Sequence, residues 1–125
     1  MLRNCYCCSS VSFSECCQPL IEGKRPAPTA EKLMRSRYSA YATQSVDYLI
    51  ATTHSSKKKY LSKSDILNWA RANQWVKLEI VKASDNIVEF KAYYLDSDLK
   101  AQIHHERSYF EKENNLWFYI DGDFY

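Results

Sequence analysis

The chain of 125 residues contains only two glycines and three prolines, too few for a linker-rich or disordered polypeptide. No cysteine follows residue 17. No apolar run approaches the ~18 residues that a membrane-spanning helix needs. The opening Met1-Leu2-Arg3-Asn4-Cys5 lacks the apolar core of a secretory leader, so a cytoplasmic location is expected. The formal net charge of +2 supplies no strong field for nucleic acid or a membrane surface. A Gly-rich phosphate loop, a Ser/His/Asp set and a paired-carboxylate constellation are all missing, so catalysis has no local signature and a non-enzymatic role is the expectation. The hydrophobic fraction of 46%, with ten tyrosines, suits one domain of ordinary size plus a small appendage.

What is present is concentrated at the N-terminus. Five cysteines occur as Cys5-Tyr6-Cys7-Cys8 and Cys16-Cys17. In an extended segment Cys5 and Cys7 point the same way, and a short loop can fold Cys16 and Cys17 back over them. Four sulfurs can then converge on one tetrahedral ion. A soft thiolate tetrad suits Zn²⁺, and a closed four-ligand shell is structural rather than catalytic. In a reducing compartment, clustered cysteines signify metal or redox chemistry rather than disulfides. The odd count would leave one thiol over, and a bridge between neighbours would be strained. A redox thiol cluster and disulfides are the alternatives to zinc. Cys8 is the spare thiol for a redox role.

Residues 22–28 hold two prolines and one glycine and read as a connector between a cysteine knuckle at 1–21 and a domain at 29–125. Thr29 is placed as the N-cap of a helix over Ala30–Ala42, with Glu31 in its first turn. Leu33, Met34, Tyr38, Tyr41 and Ala42 form its apolar stripe, and Arg35, Ser36 and Ser39 its opposite face. A short helix over Val46–Ala51, capped by Ser45, leads to His54. The polar stretch 55–63, with Lys57-Lys58-Lys59, reads as a solvated loop, and Ser62 or Ser64 caps a helix running to Ala72. The period then changes from 3.6 to 2. Strands are expected over 75–82, 86–95, 101–112 and 116–120, with Val76, Leu78 and Ile80 sharing one face of the first, and Val88, Phe90, Ala92 and Tyr94 one face of the second. Asn114-Asn115 suits positive φ in a tight hairpin. Helices followed by a strand meander give an α+β fold, with helices packed on an antiparallel sheet.

The spacing Cys5-x-Cys7, eight intervening residues and Cys16-Cys17 resembles the SEC-C motif, first seen in the SecA translocation ATPase. The run Leu33 to Tyr41, Asp47-Tyr48-Leu49, His105-Glu106-Arg107-Ser108 with Phe110, and Trp117 to Gly122 add to it. Together they resemble the bacterial YchJ family, uncharacterised proteins joining a SEC-C motif to a domain like nuclear transport factor two. The resemblance implies a cone-shaped α+β domain whose curved sheet wraps a long helix, and zinc ligands at Cys5, Cys7, Cys16 and Cys17. Cys8 stands where such motifs carry Gly. In SecA the knuckle is associated with the SecB chaperone and the ribosome, so an interaction or adaptor role through a protein or ribosome-associated partner is implied here. Arg3, Lys24 and Arg25 near the knuckle are compatible with an acidic partner. A nucleic-acid reader would show a stronger basic bias and exposed aromatic platforms.

The alternative is a small-molecule-binding protein or enzyme with its site inside the cone, since folds of this shape carry either. The candidate pocket residues are Arg37, Tyr38, His54, His105 and Arg107. On the third strand His105, Arg107 and Tyr109 share one face, while His104, Glu106, Ser108 and Phe110 share the other. If the first set faced the pocket, His105 would act as acid or base and Arg107 would hold an anion. A cone filled by Met34, Phe90, Tyr94 and Trp117 would instead favour an adaptor.

Overall fold

The computed structural model describes residues 4–125. Arg3, one of the basic residues assigned to the knuckle, lies outside them. A 3₁₀ turn at Phe13–Glu15 precedes five helices: α1 (Gln18–Ile21), α2 (Ala30–Ala42), α3 (Val46–Ala51), α4 (Ser55–Lys58) and α5 (Lys63–Ala72). The chain continues into β1 (Gln74–Ala83), β2 (Ile87–Leu95), β3 (Ala101–Glu113) and β4 (Leu116–Phe124). The strands pair in sequence order as one antiparallel sheet. It is the α+β arrangement expected from the change of period, with α2 lying against β1, β2 and β4.

The start of α2 follows its local chemistry. Thr29 Oγ1 accepts the Lys32 N–H at 3.1 Å, which satisfies one of the orphan donors at the helix start. Leu33, Met34 and Tyr38 are buried toward the sheet. Ser36 and Ser39, on the face drawn as polar, are fully buried as well. The Ser36 hydroxyl donates to the Leu33 carbonyl and meets the Tyr48 hydroxyl of α3, each at 2.7 Å. Ser39 Oγ lies 3.5 Å from Cys5 Sγ. The small polar residues therefore admit other elements close to the helix rather than face water.

Three sequence expectations change. Ser45 precedes α3, but its side chain makes no cap hydrogen bond and instead meets Thr43 Oγ1 at 2.8 Å. Val76 is 58% exposed rather than aligned with Leu78, because the β1–β2 register slips between Trp75 and Lys77. The extra residue turns Val76 outward and Trp75 inward. A second slip between Ile80 and Lys82 leaves Val81 exposed. The stretch after His54 is not all loop. It forms α4, with His54 as its N-cap: Nδ1 accepts the Ser56 N–H at 3.2 Å. By contrast Asn114 and Asn115 adopt φ of 53° and 65° in the β3–β4 hairpin, the left-handed pair such a turn demands.

The core is continuous across the cysteine segment and the sheet. Cys5, Cys7, Cys16, Cys17 and Leu20 belong to the same buried cluster as Leu33, Met34, Val88, Phe90 and Phe110.

Candidate metal centre and cone cavity

The knuckle begins with an isolated antiparallel bridge between Asn4 and Ser12 and a Cys5 N–H to Val11 carbonyl bond of 2.8 Å. This pinned loop brings the 3₁₀ turn, Cys16 and Cys17 back beside Cys5 and Cys7; Cys17 is also the N-cap residue of α1. The four Sγ atoms all lie within 4.8 Å of one another, and all four residues are buried. Cys7 and Cys16 sulfurs are 3.7 Å apart, Cys16 and Cys17 sulfurs 3.9 Å. A tetrahedron with metal–sulfur bonds of about 2.3 Å has edges of about 3.8 Å. The cysteines are free thiols, at separations far from the ~2.05 Å of a disulfide. The residues present therefore fit a tetrahedral thiophilic ion.

The electrostatics lead to the same ion type. The Cys7 thiol lies well below the usual thiol range because its thiolate accepts hydrogen bonds from Cys17 and Cys5. Cys17 is pushed far up by donating to Cys5 and Cys7 and by burial, and burial raises Cys16. Without a cation the site tolerates a thiolate at Cys7 and resists one at Cys16 or Cys17. A bound dication would remove that conflict. Ser9 Oγ at 3.2 Å from Cys16 Sγ and Ser39 Oγ at 3.5 Å from Cys5 Sγ occupy outer lone pairs of the sulfurs, as metal-site partners do.

Cys8 stands apart. It is exposed, with φ of 67°, a conformation that favours glycine. The Leu78 N–H donates to its Sγ at 3.3 Å, so the fifth thiol ties the knuckle to β1 instead of joining the tetrad. Arg35 makes a second tie, from Nη1 to the Cys7 carbonyl at 2.8 Å.

The cone is not filled. A cavity of about 280 Å³ remains, with Met34, Phe90, Trp69 and Trp75 in its wall. Of the five candidate pocket residues, Arg37 and Tyr38 line it; His54, His105 and Arg107 do not. The parity of β3 accounts for two of these corrections. Phe90 pairs with Glu106, Ala92 with His104 and Val88 with Ser108, so the inward face of β2 carries His104, Glu106 and Ser108 inside. His105 and Arg107 fall on the outer face, where His105 Nε2 meets Glu89 Oε2 at 2.8 Å and Arg107 lies 3.7 Å from Glu89. His54 is held at β4, its N–H bonded to the Tyr119 carbonyl at 2.7 Å. Its Nε2 lies 2.8 Å from Glu113 and 3.5 Å from Glu111. Because Nδ1 accepts from the Ser56 amide, Nε2 carries the proton given to Glu113, so neither ring nitrogen is a free ligand.

Sequence reasoning placed His104, Glu106 and Ser108 on one strand face but not in the site. Glu106 is 5% exposed and accepts from Ser108 Oγ at 2.6 Å and the Tyr119 hydroxyl at 2.8 Å, with His104 Nε2 at 2.8 Å. Burial, then the carboxylate of Glu106, push the Tyr119 phenol well above the usual range. Arg37 is buried too; its Nη1 donates to the Leu49 carbonyl at 3.0 Å and Thr52 Oγ1 at 2.7 Å, and its guanidinium lies over the Tyr119 ring. Two signals pointed to this face: Phe110 shares its parity, and Gly122 sits opposite Ser108, where a Cβ would collide with the Glu106 carboxylate.

A buried four-cysteine cluster seated on helices and a four-stranded antiparallel sheet defines the class: a SEC-C-type motif joined to a nuclear-transport-factor-two-like domain. The family model "YchJ, middle NTF2-like domain" matches residues 29–122. The chain is 38% identical to a UPF0225 protein of Geobacter sulfurreducens, over 98% of this chain and 80% of the relative. It is also 38% identical to the UPF0225 protein YchJ of Shigella dysenteriae, over 98% and 84%. The solution structure of a SEC-C motif containing protein from Rhodopseudomonas palustris superposes with a TM-score of 0.89 at 32% identity, covering 97% of this chain and 98% of that one. A crystal structure of a SEC-C motif containing protein from Psychrobacter arcticus gives 0.78 at 32% identity, over 94% and 80%. The chain belongs to the YchJ (UPF0225) family.

Proposed function

We propose that this is a zinc-binding interaction protein of the bacterial cytoplasm, in which a knuckle at 1–21, tied by the connector 22–28 to the domain 29–125, docks a protein or ribosome-associated partner. Zn²⁺ is held by Cys5, Cys7, Cys16 and Cys17 in a structural role. The observation that carries the reading is the contrast between ligands and loop. The four thiols are buried, which removes the ion from any substrate, while the backbone they fix presents Tyr6 (37% exposed) and Val11 (40% exposed) outward. Charge contributes less than shape: Lys24 pairs with Glu22 at 3.1 Å, and Arg25 donates to the Glu15 carbonyl at 3.0 Å. No helix among the described residues is long and apolar enough to cross a membrane.

The test is co-sedimentation of the zinc-loaded chain with purified ribosomes, beside Tyr6→Ala/Val11→Ser and chelator-treated protein. The expected result is pelleting with ribosomes that falls at least tenfold, roughly the 1.4 kcal/mol or more that two interface side chains carry, in both the variant and the metal-free form. Absence of pelleting, or pelleting equal in all three, would remove the ribosome from the reading.

A further inference from the structure

The cavity inside the cone has two unlike kinds of lining. One wall is aromatic: Trp75 stands edge-on to Tyr38 with centroids 6.0 Å apart, and Trp69 lies 6.2 Å from Trp75. The lining also includes the Glu106 carboxylate, a charge that is costly to bury unless fully satisfied. Oε2 accepts from Ser108 and Tyr119, which leaves Oε1 to accept from His104 Nε2. That third bond fixes the imidazole. With Nε2–H given to the carboxylate, the Nδ1 lone pair remains, and His104 lines the cavity. A carboxylate behind an imidazole both sets the tautomer and stabilises the cation formed when the ring takes a proton. Glycine at 122 makes room for this carboxylate, so the hairpin opposite is shaped around the pair.

We propose that the cone cavity is a ligand site for a small planar aromatic molecule bearing an acidic hydroxyl, with the ring against Trp69 and Trp75 and the hydroxyl on His104 Nδ1. The volume sets the size: about 280 Å³ is roughly nine times the ~30 Å³ share of a liquid water, enough for one substituted ring. A largely apolar wall with a few convergent polar groups is the usual make-up of such sites. On binding, the ligand O–H proton passes to Nδ1. The products are a phenolate and an imidazolium, paired with each other and the latter held by Glu106, in a cavity whose wall includes the Arg37 cation, so the charge of the complex is unchanged. This site is independent of the knuckle and of its partner.

The test uses the zinc-loaded full chain with 4-nitrophenol as the probe, whose anion has its own absorbance band. Side-chain NMR of His104 and of the Trp69 and Trp75 indoles provides a readout that needs no variant. The expected result is saturable binding with shifts at all three residues and growth of the nitrophenolate band. His104→Gln weakens binding at least tenfold and abolishes the band. His105→Gln, one residue away on the outer face, binds like the parent. Gln at position 104 keeps a side-chain N–H for Glu106 Oε1, and an amide spectrum verifies that the variant retains the fold. No saturable shift at His104, or equal effects of His104→Gln and His105→Gln, would overturn the proposal.

Discussion

Residues 4–21 and the sheet-and-helix region are ordered by different means, although they share one core. The cysteine segment offers few sizeable apolar side chains; Leu20 is its single buried aliphatic residue, and its longest helix has four residues. Helices that short have no stability of their own. Its order converges on four sulfurs. The domain instead buries Leu33, Tyr38, Val88, Phe90 and Phe110 between α2 and the sheet and needs no ion for that packing. Coordination and burial meet at α2, where Ser39 approaches Cys5 and Arg35 holds the Cys7 carbonyl. A knuckle that borrows a wall from the domain can be short; the domain in turn has its α2 covered by the knuckle at Arg35 and Ser39.

The largest effect should come from removing coordination. Cys16→Ser/Cys17→Ser is expected to abolish metal binding, erase hydrogen-exchange protection over residues 4–21, and lower Tm by more than ~10 °C, since structural zinc contributes about 10–16 kcal/mol in small peptides. Protection over β2 and β3 should persist. If the whole chain unfolded in one step with the knuckle, the division between the two regions would be wrong.

Removing burial should act in the opposite sense. Phe90→Ala is expected to cost about 3–5 kcal/mol in chemical denaturation while one metal per chain is retained. Metal loss in this variant at low denaturant would show that the knuckle depends on sheet packing more than on its ligands.

A smaller and pH-dependent effect separates the polar floor from both regions. The folded-state pKa of Tyr119 is raised above its unfolded value, by burial first and Glu106 second. Its contribution to stability is therefore complete below the ordinary tyrosine range near pH ~10 and is lost as pH rises toward the elevated folded value. Tyr119→Phe should flatten the alkaline loss of stability measured by denaturation between pH 8 and 11, at the cost of one hydrogen bond to Glu106, about 1–3 kcal/mol, at neutral pH. An unchanged alkaline slope would assign that loss to other tyrosines.

Local chemistry accounts for what was readable in the chain. Thr29, Ser62 and the Asn114-Asn115 pair act within a few residues of their own position, and all three perform in the structure as their side chains demand. The cysteine spacing was informative for the same reason, since two short segments and a loop suffice to gather the sulfurs. The pocket was not readable in this way. Alternation along β3 divides its polar residues into two sets but carries no label for inside, which comes from pairing with β2 and from Gly122. Val76 failed because a bulge breaks the period of two without any glycine or proline to announce it. Ser36 and Ser39 looked like a polar face, although they are the small residues that let α3 and the knuckle approach α2.

The most direct test of the account is the metal content of the chain purified under reducing, chelator-free conditions, read by native mass spectrometry beside its amide spectrum. One zinc per chain, lost to a chelator together with the ordered signals of residues 4–21, is the predicted result. A metal-free chain whose knuckle signals remain dispersed would contradict it, and packing of the thiols alone would then have to explain the fold of that segment.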